Sequence, residues 1–292
     1  MELKIKILIV GGRGFLGKEI SKALKEAGFS ILISTRGNQP LGDHIKLDIF
    51  SKQEVLNALR SYTPEVVINC SWITEHATYL YSNENDHYQS AAINFFEECQ
   101  KIGVGHFIGI GSAAEYYNKF EPDLIHAGHQ LGSTKYGKAK RQTLRDILDR
   151  HQDDLMTFNW LRVFQPYGPG QDPMRFLPSV IRSLQSDLPV SIQAPNAVRD
   201  WITTRDIAAS VLHLVKLKIS GIVDVGSSSG ISNLEICQKL EGIIKPQNPK
   251  FNISDNHDQS VLVASKGNIL FETGWKPKDD LTAGLQWLLK GN

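Results

Sequence analysis

The sequence predicts an α/β protein, a doubly wound parallel sheet with a smaller α/β lobe. Three observations predict it. Short β-rich runs alternate with longer helical patterns through the first half of the chain, and that alternation calls for parallel strands with crossover helices on both faces. The runs Ile7-Leu8-Ile9-Val10 and Val66-Val67-Ile68-Asn69 are almost continuously apolar, as strands buried on both sides must be. After Phe164 the texture changes: Pro166, Gly168, Pro169, Gly170 and Pro173 cluster together, which marks the exit from the sheet.

The elements follow in order. Ile5–Val10 reads as the first strand. Phe15–Gly28 follows as a helix, with Phe15, Ile20, Leu24 and Ala27 at helical spacing and Gly28 as its stop. Ser30–Arg36 and Ile45–Ile49 are strands. Ser51–Tyr62 is a helix with Ser51 as N-cap and Glu54 completing a capping box, and Pro64 breaks the chain after it. Glu65–Ser71 is a strand, Asn85–Gly103 a helix, His106–Ser112 a strand, Thr134–Arg150 a helix and Met156–Phe164 a strand. A late run, Ile222–Val225, is expected to return to the sheet, so that the second lobe is built from two separate pieces of chain.

Composition narrows the function. The chain has 292 residues, with 32 Lys plus Arg against 31 Asp plus Glu, a formal net charge of +1. That balance supplies no electrostatic pull toward nucleic acid or a membrane surface. The early apolar run is too short to span a bilayer, and Met1 to Lys6 leads into it without a signal-peptide core, so a cytoplasmic location is expected. Cys70, Cys99 and Cys237 show no metal-binding spacing and read as buried free thiols in a reducing compartment, with no metal implied.

Gly11, Gly14 and Gly17 form a G-x-x-G-x-x-G turn between the first strand and first helix. Glycines let backbone N–H groups approach a diphosphate, and the helix N-terminus turns its positive end toward the anion. With strand and helix both in place, the turn reads as the dinucleotide site of a Rossmann fold. Residues 1–165, with 201–225 returning, then form the dinucleotide-binding domain, and 166–200 with 226–292 the substrate-binding lobe. An acid ending the second strand would bond the ribose hydroxyl of NAD(H). Here Ser34-Thr35-Arg36 stands instead, with no acid before Asp43. Arg36, aided by Arg13, suits a 2′-phosphate, which favours NADP(H) over NAD(H). Asp48 and Ile49, ending the third strand, are placed to contact adenine.

Tyr136 and Lys140 lie four apart and share a helix face, and Ser112 closes the fifth strand at the edge where such sheets bind ligands. A tyrosine hydroxyl is a weak proton shuttle by itself, and a neighbouring ammonium is expected to favour its tyrosinate form. Ser112 would hold a substrate oxygen. The three together make a carbonyl-reduction site.

These motifs resemble the extended short-chain dehydrogenase/reductase superfamily, in its NAD-dependent epimerase/dehydratase branch, whose members act largely on nucleotide sugars. The resemblance rests on GGRGFLG at 11–17, Asp48, INCSW at 68–72, GSAAEYY at 111–117 and YGKAK at 136–140. It continues through LRVFQPYGPG at 161–170, VRDWITTRDIA at 198–208, VDVGSSSGIS at 223–232 and ETGWKP at 272–277. It implies a catalytic set of Ser112, Tyr136 and Lys140. It implies cofactor contacts from Gly11, Arg13, Gly14, Phe15 and Leu16, from Arg36, Asp48 and Ile49, from Cys70, Ser71 and Trp72, and from Tyr136, Lys140 and Phe164. Ser112, Ala113, Gln165 and Arg199 are implied on the substrate side, Arg199 pairing with the diphosphate. A salt bridge from Arg199 to Asp200 or Asp206 is the competing role. Tyr167 and Trp201 read as packing. Glu115 stands where the family carries an apolar residue and reads either as a substrate contact or as a surface-facing or salt-bridged residue. His76 reads as a sugar contact or as structural. Base contacts are expected around Phe176 to Gln193. The branch's 4,6-dehydratases carry an Asp-Glu pair where Ala113 and Ala114 stand, and its fucose-forming epimerase-reductases carry a cysteine at the position of Ala114. Both chemistries are therefore disfavoured. Simple hydride transfer remains, and Arg36 tips it toward an NADPH-consuming reductase. The stretch Trp72-Ile73-Thr74-Glu75-His76 and the GSAAEY form resemble reductases of nucleotide-linked 4-keto-6-deoxy sugars, which implies that substrate. The alternatives are 4-epimerisation, a carbonyl reductase of non-nucleotide substrates, or a non-catalytic NADPH-binding regulator. A homodimer through the helices at 85–103 and 134–150 is what the resemblance implies.

Overall fold

The computed structural model describes residues 4–36, 42–116, 133–151, 155–265, 267 and 269–291. The expected strands assemble into one large sheet of β1 (Lys6–Val10), β2 (Ser30–Thr35), β3 (His44–Lys46), β4 (Val66–Asn69), β5 (His106–Ser112), β6 (Thr157–Val163) and, after further elements, β10 (Gly221–Val225). Its order is β10-β6-β5-β4-β1-β2-β3, and every pairing is parallel. The helices α1 (Phe15–Glu26), α2 (Lys52–Tyr62), α3 (Glu84–Ile102) and α4 (Lys135–Arg150) make the crossovers. The late run returns as expected: β10 lies beside β6.

Strand β1 shows why the sheet must be covered on both sides. Ile7 and Ile9 join the cluster around Ile20 and Leu24 of α1, whereas Leu8 and Val10 join the opposite cluster around Val55, Phe95 and Phe96. Successive side chains point to opposite faces, so an unbroken apolar run feeds two cores. Burying each such side chain stabilises the fold by roughly 1.5–3 kcal/mol, and Leu8→Ala would cost about 2–5 kcal/mol.

Two local differences from the expected elements have clear causes. The third strand ends at Lys46, because the chain turns soon after it: Ser51 N–H donates to the Asp48 carbonyl at 3.0 Å. Only half of the expected capping box forms. Ser51 Oγ accepts from Glu54 N–H at 3.3 Å, but the Glu54 carboxylate takes the Asp48 N–H at 3.0 Å and pairs with Lys46 at 3.0 Å.

Beyond β6 the chain forms β7 (Gln165–Tyr167), α5 (Phe176–Gln185), β8 (Val190–Ile192), β9 (Val198–Thr203) and α6 (Thr204–Leu217). After β10 come β11 (Gly230–Ser232), α7 (Asn233–Ile244), β12 (Phe251–Ile253), β13 (Val261–Leu262), α8 (Ile269–Glu272) and α9 (Leu281–Lys290). Strands β7, β11 and β13 all pair with β9, and β12 pairs with β8. Tyr167 and Trp201 are packed in the third core with Leu177, Ile181 and Leu285. Asp200 ties these segments together: its buried carboxylate accepts N–H bonds from Ser227, Ser228 and Ala264. Among the described residues no helix is long and apolar enough to cross a membrane.

Candidate active site

A cavity of about 660 Å³ lies along the carboxyl edge of the large sheet, where β1, β2, β4, β5 and β6 end. Its floor is the glycine turn. Gly11 has φ +74°, in the left-handed region, and a Cβ there would stand 2.9 Å from the Cys70 carbonyl carbon. Only glycine meets both conditions. Gly11 N–H donates to Ser34 Oγ at 3.0 Å, and Gly14 N–H to the Gly11 carbonyl at 2.9 Å, which closes the turn. Helix α1 then starts at Phe15 with no side-chain cap, so no capping side chain claims its first N–H groups beside the turn. This cradle fits a dinucleotide diphosphate.

The ribose end fits as well. Arg13 and Arg36 line the cavity, and neither makes a hydrogen bond or ion pair among the described residues. Asp43, the first acid after β2, is committed elsewhere: it pairs with Lys25 at 2.8 Å, and that ammonium holds its carboxyl below the usual range.

At the centre, Ser112 and Tyr136 come together on one wall of the cavity, where burial of Tyr136 is opposed by the Ser112 side chain, which favours the ionised tyrosine. Burial outweighs it and pushes the Tyr136 hydroxyl up. Lys140 is expected to favour tyrosinate, but burial of Tyr136 among these rings acts the other way, toward the neutral phenol. Tyr79 packs edge-on against Tyr136 with centroids 5.1 Å apart, and Trp72 at 6.4 Å. Lys140 donates to the Ile110 carbonyl at 2.7 Å and lies 3.8 Å from the Trp72 ring centroid. Burial pulls Lys140 down to about 7, opposed by the negative charge of Glu115. Ser112 Oγ accepts from Ala114 N–H at 3.1 Å, which leaves its own proton to donate.

Every residue expected at the dinucleotide or in the catalytic set lines this cavity, from Gly11 to Phe164, as do Ala113 and Gln165. Arg199 does not. Its guanidinium donates to the carbonyls of Val198 (2.8 Å) and Ser260 (2.9 Å) and to Ser260 Oγ (2.9 Å), with Asp258 at 3.9 Å. Neither Asp200 nor Asp206 is its partner among the described residues. Glu115 is salt-bridged, pairing with Arg162 at 3.2 Å. His76 is not part of the lining.

Sequence reading missed Tyr79, Tyr88, Gln171, Asp172, Arg175 and Leu262, all of which line the cavity. Arg175 reaches back across it, donating to Tyr79 Oη at 3.1 Å and to the Thr74 carbonyl at 3.0 Å. The Pro/Gly cluster at 166–173 pointed to a loop there, but nothing in the sequence aims Arg175 at a tyrosine 96 positions away.

A Gly-rich turn, a strand-end serine and a Tyr–Lys pair line one cavity, the arrangement expected of the extended short-chain dehydrogenase/reductase type. Residues 7–226 match the NAD dependent epimerase/dehydratase family, and the chain belongs to it. It is similar to the CDP-abequose synthase of Salmonella typhimurium, at 23% identity over 99% of this chain and 98% of that protein. It is also similar to the UDP-glucose 4-epimerase of Lactobacillus helveticus, at 22% identity over 94% and 93%. Among solved structures, the Thermus thermophilus UDP-glucose 4-epimerase in complex with NAD superposes with a TM-score of 0.77 at 21% identity, covering 98% of each chain.

Proposed function

We propose that the protein reduces the ketone of a nucleotide-linked 4-keto-6-deoxy sugar at the expense of NADPH. The observation that carries this reading is the convergence of Ser112, Tyr136 and Lys140 on a cavity whose ribose end offers Arg36 and Arg13, with no acid closing β2. The bound dinucleotide supplies the hydride. Ser112 donates a hydrogen bond from its hydroxyl to the ketone oxygen and orients it, keeping its own proton. Tyr136, held neutral by burial, gives its proton to the oxygen as charge develops there. Lys140 holds the nicotinamide ribose and carries the charge that eases recovery of the tyrosine proton. Arg36 and Arg13 take the 2′-phosphate, which makes NADP(H) the preferred cofactor. Ala113 and Ala114 offer no acid or base beside Ser112, so elimination has no proton carriers there. The similarity to CDP-abequose synthase supports this reading.

A redox-neutral 4-epimerase is the second reading, favoured by the comparably similar UDP-glucose 4-epimerases. Incubation with NADPH and a panel of 4-keto-6-deoxy nucleotide sugars separates the two. Stoichiometric loss of NADPH with formation of a 4-hydroxy sugar is expected. Interconversion of 4-epimers with no net cofactor turnover would give the case to the epimerase. We further assign the protein to the cytoplasm, and to a homodimer through α3 and α4 that sedimentation of the purified protein tests.

A further inference from the structure

Glu115, which the sequence leaves between a substrate contact and a salt bridge, lies directly behind the site. Glu115 has a fully buried side chain, and its carboxylate oxygens are both engaged. Oε1 accepts the Ser112 N–H at 2.8 Å and Trp160 Nε1 at 2.9 Å. Oε2 accepts Trp160 Nε1 at 3.1 Å and Arg162 Nε at 3.2 Å. Arg162 continues to Tyr116 Oη at 3.0 Å, and Tyr116 donates to Asp224 at 2.5 Å. A buried ion pair of this kind contributes little net stability, because desolvation offsets the attraction. Its geometry, in contrast, is specific: the carboxylate grips the backbone of the very residue whose hydroxyl faces Tyr136.

We propose that Glu115 is a positioning residue of the reaction: it fixes the Ser112 backbone and places a buried negative charge behind the Ser112–Tyr136–Lys140 set. The proposal rests on the reading of those three residues given above. Lys140 faces Cys70 from the end of β4, Glu115 from the turn after β5, Tyr136 from its own helix, and the rings of Trp72 and Trp160. Burial pushes the Cys70 thiol up to about 12 and keeps Tyr136 protonated, so both are neutral at ordinary pH. Burial pushes the Glu115 carboxyl up and the Arg162 guanidinium opposes it, so the Arg162-paired Glu115 is the negative charge that Lys140 meets; Arg162 faces it from β6, backed by Tyr116 and Asp224.

The test reads Lys140 by heteronuclear NMR of the lysine side chains in the full-length protein without substrate, with Lys140→Met used for assignment. Glu115→Gln should lower the Lys140 titration midpoint by about one pH unit and move the alkaline limb of the kcat profile the same way. Glu115→Asp keeps the charge but shortens the reach to Ser112, so kcat should fall with the midpoint unmoved. The amide variant leaves Arg162 buried without its partner. If it does not fold, Glu115→Gln/Arg162→Gln removes both charges and carries the same expectation. A Lys140 midpoint and a kcat profile equal to wild type in a folded charge-removing variant would overturn the proposal, as would full kcat in Glu115→Asp. Because the titration needs no substrate, a wrong assignment of the reaction would leave the NMR shift intact and remove only the kcat effects.

Discussion

The two ends of the cavity are built by different means. At the end proposed for the dinucleotide one continuous stretch, Gly11 to Gly17, makes the floor, and Arg36, Asp48 and Cys70, each just beyond a neighbouring strand, add to it. At the far end the wall is assembled from Tyr79, Gln171, Asp172, Arg175 and Leu262, side chains carried by separate loops and a distant strand. The first end is a property of the backbone, since a strand, a tight turn and a helix start dictate it. The second depends on where loops converge.

The same difference decides what could be read in advance. The large sheet was legible because β1 and β4 are apolar on both faces and because Gly28 and Pro64 punctuate the helices. The Ser112, Tyr136 and Lys140 set was legible because a strand end and a four-residue helical spacing are local features. Arg199 was placed by motif on the substrate side, but the partners that hold it, Ser260 and Asp258, lie far along the chain and carry no periodic signal. Arg175 was invisible for the same reason. The capping box at Ser51 was half right because Lys46, just outside the helix, competes for Glu54.

The largest expected effect lies at the seam between the two ends. Tyr136→Phe keeps the ring against Tyr79 and Trp72 and removes only the hydroxyl. General acid catalysis contributes about 10²–10⁴-fold, so kcat should fall by that factor while NADPH binding, read by fluorescence titration, stays unchanged. Full activity would mean that the proton comes from another group.

Next comes the dinucleotide end alone. Arg36→Asp should weaken NADPH by about one to two decades, the worth of a charge-assisted bidentate contact, and improve NADH. The KM for the sugar substrate should not move, because Arg36 lies at the opposite end. Equal NADPH affinity in variant and wild type would remove the 2′-phosphate assignment.

A smaller effect separates the two arginines of the far end. Arg175 lines the cavity and Arg199 does not. Arg175→Ala should therefore raise KM for a nucleotide sugar by about tenfold, the loss expected for one charge-assisted contact. Arg199→Ala should act mainly on thermal stability, by unpinning the Ser260 segment from β9. The reverse order of KM effects would show that Arg199 leaves Ser260 when substrate binds, and would restore the role its motif implies.

The last effect is on stability rather than turnover, and it concerns the lysine that both ends share. Lys140 titrates at about 7 in the folded protein against an ordinary value of 10.5. Below about 7 the folded state carries a buried ammonium at a desolvation cost that the unfolded chain does not bear. As pH rises from 7 toward 10.5, the folded protein gives up this proton first, so the unfolded chain binds more protons and the cost is relieved. Lys140 alone should thus make stability rise with pH across that window, by at most about 1.4 kcal/mol per pH unit. Lys140→Met removes the titrating group and keeps an unbranched apolar stem against Trp72. Denaturant unfolding of both proteins at several pH values between about 7 and 10 should give a difference in stability that shrinks steadily as pH rises, with the variant ahead at the acid end. Parallel curves would mean that Lys140 keeps its ordinary affinity for the proton, and that the centre of the cavity is wetter than the rings around it imply.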